Sequence, residues 1–158
     1  VRLLWVHQIS GRFARIDGDV TLSPRRDTAV VRATVLVDSV QMDSERMRRW
    51  VMTPEFFDAA RYPTIQFTSS PFATHALEFG GELPGLLTLR GISRPVIFEL
   101  QPSRCTMKPT EPCMIEVRGS IQRSDYDMTG HRTALSDRVQ MGLLITIQPA
   151  QRQLPPQH

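Results

Sequence analysis

Lysine is almost missing from this chain. Lys108 is the only one, so nearly all of the 19 basic residues are arginine. They face 16 acidic residues, and the net charge is only +3. A dedicated nucleic-acid binder gathers its basic residues on one face. No such gathering is present, and a nucleic-acid partner is not expected. The densest basic cluster is Arg46, Arg48 and Arg49, with Asp43 and Glu45 beside it. It reads as a solvated face, the alternative being an anion contact with phosphate or lipid headgroups. Long apolar runs are missing too. The greasiest stretch, 141–147, is strand-length, far short of the ~18 residues of a spanning helix, so no stable membrane insertion is expected. Glycine and heptad periods are absent, which excludes collagen-like and coiled-coil chains.

What is there is ordinary for a folded domain. The chain has 158 residues, 41% hydrophobic and 22% charged, which excludes a disordered chain and suits a single core. One domain is expected over residues 1–148. The tail from Pro149 to His158 has three prolines and three glutamines, and is expected to be disordered. No leader with a basic n-region and an apolar h-region is visible before Val1, which leaves export open.

Two cysteines, Cys105 and Cys113, bracket a stretch containing Lys108, Pro109, Thr110, Glu111 and Pro112, which is turn chemistry between alternating apolar flanks. A bridge between them would close the end of a hairpin and imply an oxidising compartment. Two buried free thiols are the alternative. Without further ligands nearby, the pair does not suggest a zinc site.

Period-2 patterning runs through most of the chain. From Phe13 to Leu22, Ala14, Ile16, Gly18, Val20 and Leu22 share one side. From Ala29 to Asp38, Val31, Ala33, Val35 and Val37 do the same. Further strands are expected at Thr64–Ser69, Ala76–Phe79, Leu86–Arg90, Val96–Leu100, Met114–Gln122 and Arg138–Ile147, with Val1–Ile9 as the end of another. Eight or nine strands in a chain of this size predict an all-β antiparallel barrel or sandwich. One segment differs. Met47, Trp50 and Val51 form a helical stripe behind the cap residue Ser44, and Thr53-Pro54-Glu55 offers a second helix start.

Catalytic motifs are weak. Gly91-Ile92-Ser93-Arg94-Pro95 begins like a nucleophile elbow but lacks the final glycine and lies between strands, so it reads as a tight turn. Asp125-Tyr126-Asp127-Met128-Thr129-Gly130 resembles the first half of a calcium loop, but position 12 is Ser136, and it reads as a loop. The four histidines are scattered, with no metal-ligand spacing. What remains is apolar volume. An eight-stranded barrel is either filled by its side chains or holds one small ligand. Small inward candidates (Ala14, Gly18, Ala33 and Gly119) favour unfilled space.

Four sets of residues, in one order, carry a resemblance. They are Gly11-Arg12-Phe13 with Asp17-Gly18 and Val37-Asp38-Ser39-Val40; Pro54-Glu55-Phe56-Phe57-Asp58 with Tyr62-Pro63-Thr64-Ile65-Gln66-Phe67; Leu87 to Val96; and Gly119 to Met128 with Asp137-Arg138-Val139. Together they resemble the YceI-like, or polyisoprenoid-binding, family, from about Ser10 to Ile147. The resemblance implies an eight-stranded antiparallel, lipocalin-like barrel with a short helical insert around residues 44–59. It also implies an apolar pocket for an isoprenoid quinone, a polyprenyl phosphate or a fatty amide, a periplasmic or secreted location, and a homodimer. It implies no catalytic residue. The chain departs from the family pattern before Gly11, where the opening Asp-Pro-x-His type of strand is not seen, and at Thr129-Gly130-His131-Arg132.

The expectation is therefore a non-enzymatic carrier or sequestering protein for a long-chain amphiphile, with no cofactor beyond that hydrophobic small-molecule ligand. Alternation assigns Ala33, Val35, Ile65, Phe67 and Phe79 to the pocket. It also assigns Leu87, Leu89, Val96 and Phe98, then Val117, Ile121 and Met141. Trp50, Phe56 and Phe57 from the insert either line the entrance or plug the barrel end. Arg48 and Arg49 are candidate headgroup contacts. The alternatives are a filled barrel whose surface meets a protein partner, and an enzyme on a hydrophobic substrate. The second needs a buried polar dyad that the sequence does not show.

Overall fold

The computed structural model describes residues 11–25, 27–105, 112–128 and 137–147. The expected edge strand at 1–9, the turn at 106–111, the loop at 129–132 and the tail at 149–158 lie outside them.

Alternating sequence becomes alternating burial. Along β2 (Ile16–Leu22), Ile16, Val20 and Leu22 are half-buried while Asp17, Asp19 and Thr21 are exposed. Along β3 (Thr28–Leu36), Ala29, Val31 and Ala33 are fully inside. The expected strand from Phe13 to Leu22 is broken at Ala14 and Arg15. Their backbone N–H groups turn to Ser39, one to its carbonyl and one to its hydroxyl, at 3.1 Å each. The preceding β1 (Gly11–Phe13) thereby leaves the main sheet and pairs with β4 (Val40–Met42). Ala14 is consequently exposed at the bend and contributes no inward volume.

The insert starts as expected. Ser44 caps α1 (Glu45–Val51), its hydroxyl oxygen accepting from the Met47 N–H at 3.2 Å. No second helix follows. Residues 53–62 form consecutive turns, with the Phe56 and Asp58 N–H groups both donating to the Thr53 carbonyl. Asp58 adopts a left-handed conformation (φ 51°), which a right-handed helix cannot contain. The chain then returns to the sheet as β5 (Thr64–Ser69). A two-residue strand, β6 (Phe72–Ala73), pairs with the start of β3.

The strand expected at Ala76–Phe79 is instead a single helical turn, α2 (Ala76–Phe79), stopped by Gly80 and Gly81 at φ 81° and 149°. β7 (Gly81–Leu89) and β8 (Ile92–Leu100) follow, then β9 (Cys113–Gln122) and β10 (Arg138–Ile147). Arg90 and Gly91 join β7 to β8 in a two-residue turn, both at positive φ (55° and 70°), the geometry that matches strand twist in a tight hairpin. Ser93 of the elbow-like motif sits on β8, its hydroxyl 2.7 Å from that of Thr88 on the paired strand. The calcium-like stretch begins in a 3₁₀ turn over Arg123–Tyr126, which the Asp137 carboxylate holds, while its Thr129 and Gly130 lie outside the described residues. Ser124 donates to that carboxylate through its N–H and its hydroxyl, at 2.9 and 2.7 Å.

All pairings are antiparallel, in the order β10-β9-β8-β7-β5-β3-β2. The sheet curls into a half-barrel, and its first and last strands come back into contact. A Cβ placed on Gly18 of β2 would lie 3.6 Å from Ile145 Cγ2 on β10. This is the barrel with a helical insert that the resemblance implied. The connection from β8 to β9 is clamped by a Cys105–Cys113 disulfide with Cα atoms 5.5 Å apart, and Cys105 is buried in the main core.

Two stability predictions follow from these joints. A Cys105→Ala/Cys113→Ala double variant should lose about 2–3 kcal/mol, read from urea midpoints, because it frees a short loop in the unfolded chain. Gly91→Ala should cost about 1–2 kcal/mol in the same assay, since a side chain disfavours positive φ. Its Cβ would also meet Tyr62 Cε1 at 2.8 Å.

Candidate functional site

The barrel interior is not uniformly filled. A cavity of about 70 Å³ lies inside it, walled by side chains from nearly every strand. Ala33 and Val35 on β3, Ile65 and Phe67 on β5, Leu87 on β7, Phe98 on β8, Val117 on β9 and Met141 on β10 border it. Phe13, Ile16, Gly142 and Leu143 line it as well. Ile16 and Leu143 occupy inward positions of their alternating strands, a signal present in the sequence but not used. Phe13 could not be placed from pattern, because the break at Ala14 re-aims β1. Among the described residues, Arg118 is the only charged one on the wall, and its side chain is 62% exposed, turned outward to Glu116 at 2.7 Å.

The other side chains proposed for the pocket stand elsewhere. Phe79 ends α2 and is 69% exposed. As a strand residue it would have shared a face with Leu77, but one helical turn sends the two to different sides. Leu89 and Ile121 are buried in the core but do not border the cavity, and Val96 is half-buried against that core. Alternation reports which face a residue occupies and says nothing of its depth along the barrel.

Trp50, Phe56 and Phe57 do not border the cavity either. Trp50 and Phe56 meet edge to face at 4.5 Å and, with Val40 and Val51, form a separate apolar cluster. Phe13 joins the two regions, lining the cavity and meeting Phe57 at 5.8 Å. The insert is tied down by arginines. Arg90 donates to the carbonyls of Pro54 and Phe56 at 2.6 and 2.7 Å, and the buried Arg123 guanidinium lies 5.4 Å above the Phe56 ring. Arg48 is likewise engaged, donating to the Val40 and Asp38 carbonyls at 2.9 and 2.7 Å, so it fastens α1 and does not reach toward a headgroup. Arg49 is exposed.

Gly119, expected to leave space, is occupied, and so is Gly85, which is not among the expected positions. A Cβ on Gly119 would sit 2.2 Å from Phe98 Cδ1, and one on Gly85 2.6 Å from Phe67 Cε2. Each ring lies in the notch that the missing side chain leaves on the neighbouring strand, and the two rings pack on each other at 5.1 Å. The expectation that Gly119 opens volume is therefore corrected: a neighbour fills it.

The chemistry available here is apolar contact. Among the described residues, no three His, Cys, Asp or Glu side chains gather as a metal site. The buried Asp58 faces Arg61 at 4.0 Å, away from the cavity wall. Tyr126 is 1% exposed, and its hydroxyl has no hydrogen-bond partner among the described residues. Burial raises its pKa above the ordinary value of 10.0; Asp125 adds to the shift and Arg94 opposes it.

Comparison with known proteins places this geometry. A family model described as a YceI-like domain matches residues 1–147. The chain is 25% identical to Protein YceI of Salmonella arizonae over 148 residues, 90% of this chain and 74% of that protein. Its fold is similar to that of the Campylobacter jejuni YceI protein, with a TM-score of 0.77 at 19% identity over 96% of this chain and 91% of that one. It is also similar to a polyisoprenoid-binding domain from Saccharophagus degradans, with a TM-score of 0.63 at 15% identity over 89% and 85%.

The Tyr126 phenol gives a pH prediction. The unfolded phenol ionises near 10, whereas the folded one stays neutral to higher pH. Above pH 10 the unfolded state binds fewer protons, so the contribution to stability is complete below that value and is lost as pH rises through the folded value. Tyr126→Phe should flatten this alkaline decline in urea midpoints. Near neutral pH it should match or exceed the wild type by up to about 1 kcal/mol, because it removes an unsatisfied buried hydroxyl.

Proposed function

This chain belongs to the YceI-like family, and on that premise we propose that it holds the apolar tail of a long-chain amphiphile inside its barrel without transforming it. An isoprenoid quinone, a polyprenyl phosphate and a fatty amide all have such a tail. The observation that carries this reading is the cavity wall, built from carbon contributed by almost every strand. Each methylene moved from water into such a wall gains roughly 0.8 kcal/mol before ordering costs. The name of the Saccharophagus degradans domain points the same way. The Cys105–Cys113 bridge supports work in an oxidising compartment such as a periplasm or the cell exterior.

A second reading has its own support. Ligand pockets typically measure about 300–1,000 Å³, and this cavity is smaller, at about 70 Å³. A long tail enters only if wall side chains swing aside. If they do not, the barrel is a filled scaffold and its outer face is the working surface. On that face Leu86 pairs with Pro95 and Pro84 with Ile97 across β7 and β8, and all four are exposed. The patch itself carries no charge to repel its own kind, so a second copy of this chain, giving the homodimer, is the partner it fits.

One experiment separates the readings: native mass spectrometry of the purified protein, followed by organic extraction. A stoichiometric long-chain lipid is the expected result. A ligand-free dimer would replace the carrier with the filled scaffold, and a ligand-free monomer would defeat both.

A further inference from the structure

We infer that Phe98, seated against Gly119, is the floor that sets how long a tail the cavity accepts. This rests on the carrier reading above. Two aromatic rings stand on the cavity wall. Phe98 occupies the notch at Gly119 of β9, Phe67 occupies the notch at Gly85 of β7, and the rings touch at 5.1 Å. Two positions further along their strands from cavity residues stand Val31, Leu100 and Ile115, at 0%, 1% and 0% exposure. A tail entering from the insert side would meet these rings, with Val31, Leu100 and Ile115, buried and not bordering the cavity, behind them.

Both rings are placed by absent side chains, and this makes the floor adjustable in opposite directions. With any side chain at position 119, the Phe98 ring cannot stay where it is, because the new Cβ would lie 2.2, 2.9 and 3.1 Å from three ring atoms. The backbone of β9 blocks retreat, so the ring moves toward the open volume and the cavity shortens. A smaller residue at position 98 leaves the Gly119 notch empty, and the cavity gains that space. Phe67 cannot compensate fully, since its own ring is fixed over Gly85, with the Thr68 carbonyl 2.6 Å from the position of a Cβ there.

The test uses straight-chain fatty acids from octanoate to stearate, titrated against a bound fluorescent apolar probe. Wild-type affinity should rise about fourfold per methylene and then break to a plateau where the chain meets the rings. Phe98→Leu should move the break to longer chains, and Gly119→Ala should move it to shorter ones. The Phe98→Leu/Gly119→Ala double variant should return toward the wild-type break. Phe98→Ala should extend it further, by about four methylenes, because a close-packed interior exchanges ring volume for chain volume. That variant is the one most exposed to misfolding, so Phe98→Leu and Gly119→Ala carry the decision, with circular dichroism confirming their fold. An unchanged break in both folded variants overturns the assignment of Phe98 while leaving the carrier reading intact. A wild-type protein that binds no member of the series removes the carrier reading, and this inference with it.

Discussion

A sheet that curls until its outer strands touch must dispose of every second side chain inside itself. That constraint organises this molecule. With small residues where strands cross closely, the interior packs tightly. Gly119 admits the Phe98 ring between β9 and β8, and Gly85 admits the Phe67 ring between β7 and β5. Glycine here acts less through backbone freedom than through the space its missing Cβ gives to a neighbour. The result is a barrel in which Val31, Leu100 and Ile115 are buried away from the cavity, while Ala33, Phe98 and Val117, two positions along the same strands, border it.

The insert end is held by a different balance of forces. Its aromatic cluster is apolar, yet two arginines fasten it: Arg90 reaches its carbonyls and Arg123 lies over a ring. Burying a guanidinium costs free energy unless its donors are satisfied. Arg123 donates to the Met128 carbonyl at 3.1 Å. Among the described residues, Arg90 leaves its buried Nε without a partner, as Tyr126 leaves its hydroxyl. This end therefore carries unsatisfied polar atoms beside its packing, whereas the cavity wall is nearly free of polar groups. Phe13 touches both regions, so a rearrangement of the insert would be felt at the cavity.

The disulfide and the tight β7–β8 turn act away from the cavity, at opposite ends of β8. One restrains the chain after β8, and the other fixes the register of the hairpin that carries Leu87 and Phe98 to the wall. Register matters because a one-residue slip would turn every inward side chain outward. The outer side chains of the same hairpin would then enter the barrel, prolines included.

The sequence by itself determined the strands, the insert and the pairing options of the cysteines. Period-2 burial is a local property, and so is a serine cap at the start of a helix. Thr64–Ser69 and Arg138–Ile147 form over the residues the pattern marks, and Ser44 caps α1. The motif resemblance extended this to a barrel. Tertiary structure alone decided depth. Ala33 and Leu87 border the cavity while Leu89 and Ile121, on the same inward faces, do not. Alternation distinguishes two faces of a strand but not positions along the barrel axis. Nor could it show that the gap at Gly119 is filled, because the ring that fills it belongs to another strand. It also failed at Ala76–Phe79, where consecutive glycines end a helical turn that four residues are too few to distinguish from a strand.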